Sequence, residues 1–224
     1  MSVSCDKDII DSWRKNSAPW IAAVHENQIE SRRLVTNQAI IDTVMSVSAK
    51  KILDMGCGEG WLARELAALG LSVTGLDVIP GLVQEAKKIG GAEFQVLAYE
   101  EISDSTITER FGAVVCNFSL LGKESVEHVF KVAPTILEAD GYLIVQTLHP
   151  SIEHHNYKDG WREGSWVGFN SEFRDPPPWY FRTTESWFEL FHMSGYKLIQ
   201  FKEPINPKTG EVASLIMVGK ASSK

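Results

Sequence analysis

Three glycines at alternate positions, Gly56, Gly58 and Gly60, lie between two carboxylates, Asp54 and Asp77. A glycine has no Cβ, so its backbone takes positive φ and can lie directly against a ligand. Three of them so closely spaced make a bare main-chain surface on which an adenosine or an amino acid can rest. Asp77 follows Gly60 by 17 residues. A carboxylate at the tip of a neighbouring strand is placed to accept hydrogen bonds from ribose hydroxyls.

The elements that must hold these residues are legible around them. Residues 52–55 form a short apolar run, a strand. Leu62, Leu66 and Leu69 recur at helical spacing, with Ala63 and Ala67 beside them. Gly70 stands where a helix-ending glycine would. Residues 71–76 read as a second strand with Asp77 at its carboxyl end. Strand, glycine turn, helix, strand and acid make one half of a nucleotide-binding β-α-β unit.

The dinucleotide fingerprint G-x-G-x-x-G would place its third glycine at position 61, which is Trp61. An indole opening the helix argues against pyrophosphate packing there. No G-x-x-x-x-G-K-[ST] occurs, which excludes a P-loop. The run Leu53-Asp54-Met55-Gly56-Cys57-Gly58-Glu59-Gly60, with Asp77 after the second strand, resembles motif I of the class I S-adenosylmethionine-dependent methyltransferases. The resemblance covers most of residues 30–220 and is specific at motif I and Asp77. It implies an α/β, doubly wound, Rossmann-like fold: a seven-stranded, mostly parallel sheet with an antiparallel C-terminal hairpin and an N-terminal helical cap. It implies S-adenosylmethionine as cofactor, with Asp54, Gly56, Cys57, Gly58, Gly60, Trp61, Asp77 and Val78 around it. The reaction implied is methyl transfer to a small-molecule acceptor. A cofactor-binding but non-catalytic regulatory subunit and a nicotinamide-dependent oxidoreductase are the alternatives.

Composition agrees. The chain has 224 residues, which suits one α/β domain, and at 44% apolar it can bury a sizeable core. Its net charge is −7, and no basic run is longer than Arg32-Arg33 or Lys50-Lys51. Phosphate binding needs a clustered cationic face, so nucleic acid is not the expected partner. Cys5, Cys57 and Cys116 are odd in number and widely spaced, which fits a reducing, cytoplasmic setting without a disulfide framework. Cys57 reads as a small residue in a crowded loop. Residues 1–15 are polar and mixed in charge, unlike a signal peptide. No apolar run approaches the roughly 18 residues of a membrane span. Oligomeric state is not legible. A single domain over 1–224 is expected: helical cap 1–48, cofactor-binding core 49–147, substrate lid 148–182, and C-terminal helix and hairpin 183–224.

In chain order, Asp6 caps a short helix through Lys15, and Pro19 opens another as its first residue. A longer amphipathic helix carries Ile29, Leu34, Ile40, Ile41 and Val44 and ends near Ser48. Trp13 and Trp20 either cover a ligand or anchor core. An arginine fork is the natural partner of a carboxylate. By the resemblance, Arg32, with Arg33 next, meets the cofactor's methionine carboxylate; a solvated helix face is the alternative. Pro80 starts a helix over 81–89, closed by Gly90-Gly91, and 93–98 is a third strand. Ala98, Tyr99 and Glu100 follow where the family meets adenine. Residues 113–116 are the fourth strand. Past its end, the Asn117 amide or a backbone carbonyl accepts from the cofactor's ammonium. Asn117-Phe118-Ser119-Leu120 lacks the prolines of the N/D-P-P-Y/F motif, which counts against base methylation. A helix from Lys123 or Ser125 to Ala139, kinked at Pro134 and ended by Asp140-Gly141, precedes a fifth strand over 142–147.

Residues 148–182 hold eight aromatics and no clear period. A long aperiodic stretch in a compact domain is usually functional, and so many aromatics argue against disorder. It reads as a substrate lid inserted after the fifth strand; by the resemblance Trp179, Tyr180 and Arg182 are substrate-binding residues, with Arg182 either meeting an acidic substrate group or pinning the lid. His149 follows the fifth strand directly and is either the general base or a hydrogen-bonded loop histidine. His149, His154 and His155 raise the question of metal, but only Glu153 stands near to complete a ligand set, and none is expected. A helix over 184–194, capped by Thr183 or Thr184, leads to closing strands at 196–202 and 213–219.

Overall fold

The computed structural model describes residues 4–153 and 155–222. The first helix, α1 (Asp6–His25), runs unbroken through Pro19, where two helices were expected. Its buried stripe is Ile9, Ser12, Asn16, Pro19 and Ala23, at alternating steps of three and four. Burying that whole stripe offsets the one hydrogen bond that proline removes. A π-helical turn, Arg32–Thr36, leads directly into α2 (Asn37–Met45), so the expected long helix carries an irregular opening. Such turns recur at functional sites because they re-aim side chains within a helix.

The Rossmann-like half follows as β1 (Lys51–Met55), α3 (Trp61–Ala68), β2 (Ser72–Asp77), α4 (Pro80–Ile89) and β3 (Glu93–Val96). Then come β4 (Phe111–Asn117), α5 (Glu124–Ile136) and β5 (Leu137–Thr147). Beyond these lie β6 (Gly160–Arg162), β7 (Trp179–Phe181), α6 (Thr184–Met193), β8 (Tyr196–Lys202) and β9 (Leu215–Ala221). The main sheet has seven strands in the order β3-β2-β1-β4-β5-β9-β8. Strands β1 to β5 pair in parallel, and β9 runs antiparallel to both β5 and β8. This is the expected doubly wound sheet with its closing hairpin.

The inner strands are buried on both faces. Leu53 and Met55 of β1 enter one apolar layer with Phe130 of α5, while Ile52 enters the other with Leu62 and Leu66 of α3. That is why these strands read as continuous apolar runs. Strand order reverses between β1 and β4, which pair from Ile52↔Ala113 to Asp54↔Val115. Open α/β sheets bind ligands in the crevice outside the strand ends at this reversal.

Several boundaries differ from expectation. Strand β3 stops at Val96, which is 48% exposed because β3 is an edge strand with little packed on that side. Strand β4 starts two residues early, at Phe111. Helix α5 ends at Ile136, not Ala139, two residues past Pro134. Leu137 turns extended, and β5 begins there with a register break between Phe111↔Leu137 and Ala113↔Tyr142. Segment 148–182 contains regular structure after all: β6 and β7 pair antiparallel from Gly160↔Phe181 to Arg162↔Trp179. Thr183 caps α6, its hydroxyl accepting from Ser186 N at 3.1 Å. The last strand is shifted by two residues from the expected 213–219.

Candidate active site

The three glycines are needed for two different reasons. All have positive φ: 75° at Gly56, 58° at Gly58 and 84° at Gly60. A Cβ on Gly56 would stand 2.3 Å from Ser119 Cβ, and one on Gly60 would stand 2.6 Å from the Phe94 ring. Both are close-packed. A Cβ on Gly58 would meet only the Trp20 indole nitrogen, at 3.8 Å, so its backbone faces open space. The turn is anchored from below. Gly56 N and Cys57 N both donate to Leu76 O, at 2.7 and 2.9 Å. Ser119 Oγ donates to Met55 O at 2.7 Å and so ties the ends of β1 and β4 together.

Asp77 grips the same turn. Its Oδ2 accepts from Gly58 N at 2.9 Å and its Oδ1 from Ile79 N at 2.8 Å. Burial pushes its carboxyl up to about 6, against the pull of those two hydrogen bonds. Each oxygen keeps a second lone pair for a ligand.

A cavity of about 470 Å³ opens over the turn, at the carboxyl ends of β1, β2 and β4. That size suits a small organic ligand. Of the expected cofactor-binding residues, Arg32, Gly56, Cys57, Gly58, Trp61, Asp77, Val78, Tyr99 and Asn117 line it, as does Glu100. Asp54, Gly60 and Ala98 do not. Asp54 lies beneath the turn, 1% exposed, with Oδ2 unpaired among the described residues. Burial, and then the charges of Glu59 and Asp77, push its carboxyl up to about 8. Gly60 is spent on packing against Phe94, and Ala98 N donates to Glu101 Oε2 at 2.9 Å.

Arg32 leaves the π-helical turn with its guanidinium 4.7 Å from the Trp61 ring and 5.5 Å from that of Trp20. Its Nε donates to Asn37 Oδ1 at 3.2 Å, while the buried Nη2 has no hydrogen-bond partner among the described residues. Burial lowers its pKa, and Glu59 opposes that. Asn117 Oδ1 is likewise buried and unpaired. Arg33 points elsewhere, 3.8 Å from Glu30. Burial raises the Cys57 thiol and the Tyr99 hydroxyl well above their ordinary values, so neither is an ionised nucleophile. Phe118, which also lines the cavity, holds a strained φ of 52° just past β4.

A roof of four aromatics lines the far side. Trp13 and Trp20 come from α1, Trp166 and Phe169 from segment 148–182. Their ring centroids form a closed circuit: Trp13–Trp20 5.0 Å, Trp20–Phe169 6.4 Å, Phe169–Trp166 5.3 Å and Trp166–Trp13 5.7 Å. The two halves of the roof are fastened together by buried Asn16. Its Nδ2 donates to Arg174 O at 2.7 Å and its Oδ1 accepts from Arg174 N at 2.8 Å. Ser12 Oγ adds a bond to Asp175 O at 2.6 Å. At the start of α1, Asp6 accepts from Lys123 N at 2.8 Å and Ser125 N at 2.6 Å. Asn16 was not singled out from sequence, and Ser119 and Glu59, which line the cavity, were named only within the motifs that contain them, whereas Trp166 and Phe169 fall among the aromatics of the expected lid. Trp13 and Trp20 were weighed between cover and core, and both face the cavity.

The four residues expected for catalysis or substrate binding also lie outside the cavity lining. His149 is turned away, its Nδ1 2.7 Å from Ser151 Oγ and its Nε2 2.9 Å from Glu203 Oε1. Both ring nitrogens are engaged, which fits the hydrogen-bonded loop histidine, the second of the two readings weighed for it, and leaves it outside the cavity lining. Trp179, Tyr180 and Arg182 brace the wall from behind. Arg182 is 4% exposed and donates to Gly122 O at 2.9 Å and Lys123 O at 3.1 Å. Its guanidinium lies 4.8 Å from the Tyr180 ring and 5.3 Å from that of Trp187. Tyr180 N donates to Leu121 O at 2.7 Å, so this group fixes the loop that carries Leu121 and Gly122 into the lining. Among the described residues no histidine or lysine lines the cavity, and no cluster of three potential metal ligands occurs. His154 lies outside the described residues. No described helix is long and apolar enough to cross a membrane.

Against known proteins, the family model of the methyltransferase domain matches residues 29–200. A ubiquinone biosynthesis O-methyltransferase of Glaesserella parasuis is 27% identical over 118 residues, covering 49% of this chain and 50% of that protein. The chain thus spans about half the length of the curated relatives it matches. Among solved structures, one chain of the Haloferax volcanii complex between the Trm112 methyltransferase activator and a methyltransferase superposes with a TM-score of 0.69. It is 15% identical, covering 96% of this chain and 98% of that one. An S-adenosylmethionine dependent methyltransferase from Mesorhizobium loti gives 0.63 at 19% identity, covering 82% and 96%.

Proposed function

The chain belongs to the methyltransferase domain family, and from that premise we propose that it transfers a methyl group from S-adenosylmethionine to a small-molecule acceptor. The observation that carries the reading is one cavity holding both a bare glycine turn beside Asp77 and Arg32, whose buried Nη2 has no hydrogen-bond partner among the described residues. The residues present fit the cofactor. The open main chain at Gly58 takes the nucleoside, and Asp77 takes the ribose hydroxyls through its free lone pairs. Arg32 Nη2 is a donor waiting for a carboxylate, and Asn117 Oδ1 an acceptor suited to an ammonium. Tyr99 and Val78 hold the adenine, with Trp61 under Arg32. Asp54 lies buried beneath the turn and outside the cavity lining, so it supports the cradle and does not touch the ligand.

When bound, the cofactor supplies a methyl on a positively charged sulfur. The chain's own part is alignment and the exclusion of water. The aromatic roof performs the second task, and we assign residues 148–182, with α1, as the lid. The chain acts as one unit in a reducing cytoplasm, without nucleic acid as partner. Calorimetry with S-adenosylhomocysteine beside NADH tests the reading. Binding of the first and not the second is expected; NADH binding alone would overturn it in favour of an oxidoreductase. Release of S-adenosylhomocysteine during turnover separates an enzyme from a cofactor-holding regulatory subunit.

A further inference from the structure

Resting on the methyl-transfer reading, we propose that the acceptor is a flat phenol, uncharged as it enters, lying against Trp13, Trp166 and Phe169. Shape comes first. The part of the cavity away from the glycine turn is walled by Ile9, Ile10, Trp13, Leu148, Trp166 and Phe169. Rings and branched aliphatics offer broad contact to a planar molecule and very little hydrogen bonding to a polyol or a peptide.

Charge comes second. Arg32 is the cation lining the cavity among the described residues, and it sits at the glycine-turn end between Trp20 and Trp61. An acceptor that arrives as a carboxylate would have to shed its hydration on entry, with no protein cation beside it under the roof, which is costly. An ammonium acceptor would arrive as a cation beside a sulfonium and would still have to lose a proton.

Proton chemistry comes third. No histidine or lysine among the described residues faces this space, His149 is held by Ser151 and Glu203, and the carboxylates Glu59, Asp77 and Glu100 line the cavity on the side assigned above to the cofactor. Both oxygens of Asp6 are taken up by Lys123 N and Ser125 N. The acceptor must therefore ionise without a dedicated base. A phenol, with an ordinary pKa of about 10, does so far more readily than an aliphatic alcohol. The step balances. The hydroxyl proton passes to bulk water, an oxygen lone pair forms the O–C bond, and the C–S bond breaks with its electron pair left on sulfur. A phenolate and a sulfonium become a neutral ether and a neutral thioether, which a water-poor cavity favours.

The test uses the full chain and four probes of similar size: 2-naphthol, decahydro-2-naphthol, 2-naphthoate and 2-(aminomethyl)naphthalene. Two readouts are taken, quenching of tryptophan fluorescence in the presence of S-adenosylhomocysteine and methyl transfer from S-adenosylmethionine. Quenching and turnover with 2-naphthol, at least tenfold above the other three, are expected. Trp13→Leu and Trp166→Leu should each raise the 2-naphthol dissociation constant about tenfold, with S-adenosylhomocysteine affinity retained as the check on folding. Preference for the carboxylate, the amine or the saturated alcohol overturns the proposal, and so does failure of 2-naphthol to bind while S-adenosylhomocysteine binds. Absence of S-adenosylhomocysteine binding instead removes the methyl-transfer reading, and this proposal with it.

Discussion

Replacing Asp54 by asparagine is expected to give a stability advantage over the native chain that grows with pH. Asp54 is 1% exposed, its Oδ2 has no partner among the described residues, and Glu59 and Asp77 add negative charge nearby. Its carboxyl is pushed up to about 8 in the fold, against about 3.9 for a free aspartate. Between those values the folded chain keeps a proton that the unfolded chain has released. Its contribution to stability is therefore full below the unfolded value and is lost as pH rises through the folded one, with a slope of about 1.4 kcal/mol per pH unit. From pH 5 to pH 7 the loss is about 3 kcal/mol. Asparagine does not titrate, so Asp54→Asn removes that slope; whatever its amide costs at the buried position is the same at every pH. Asp77, pushed up to about 6, has the same sign but is present in both proteins and cancels. Urea unfolding of the two ligand-free proteins at pH 5, 6 and 7 measures the gap. A difference that widens by about 3 kcal/mol supports the account, and one that stays flat across the series refutes it.

Arg32→Met should weaken S-adenosylhomocysteine by ten- to a hundredfold, the loss of a charge-assisted hydrogen bond of about 1.5–3 kcal/mol. 5′-Methylthioadenosine, which lacks the carboxylate, should bind both proteins alike in calorimetry; equal weakening of both ligands would show that Arg32 acts only by packing. Gly56→Ala forces a Cβ to 2.3 Å from Ser119 Cβ at φ 75°, and a loss on the order of 3 kcal/mol should appear in denaturant melts. An unchanged midpoint would mean that the turn is not held as described. Asn16→Ala unpairs Arg174 N and Arg174 O, at about 1–3 kcal/mol per group left buried. Amide exchange over 165–175 should quicken while β4 stays protected, and unaltered exchange there would remove the fastening role.

How far the sequence disclosed this site depends on what each residue answers to. Gly56, Gly58, Gly60 and Asp77 obey local geometry, a turn between a strand and a helix, and local geometry leaves a spacing. The sheet was legible for the same reason: β1, β2 and β4 are buried on both faces and appear as unbroken apolar runs. Arg32 was reachable because a fork suits a carboxylate, although the π-helical turn that aims it left no sign. Pro19 misled because proline lowers helix propensity at a point where tertiary burial of a whole stripe prevails. Leu137–Gly141 misled because α5 gives way to β5 without the glycine that usually intervenes. The aromatics of the roof were legible as a lid, but what fastens them was not. Trp166 and Phe169 face the cavity because Asn16 holds the backbone at Arg174, a pairing with no periodicity to betray it. Arg182 was legible as important with two roles open, meeting an acidic substrate group or pinning the lid, and its side chain turns to the carbonyls of Gly122 and Lys123, as the second requires.

The fastenings of α1 also set an order of assembly. Asp6 waits for a partner 117 positions further on, and Asn16 for one 158 positions further on. A chain made from its amino end carries this helix for most of its synthesis before either anchor exists, whereas neighbouring strands of the sheet meet across much shorter loops. The strands that carry the glycine turn, β1, β2 and β4, can therefore meet while the turn is still uncovered, and the roof closes over a cradle already formed.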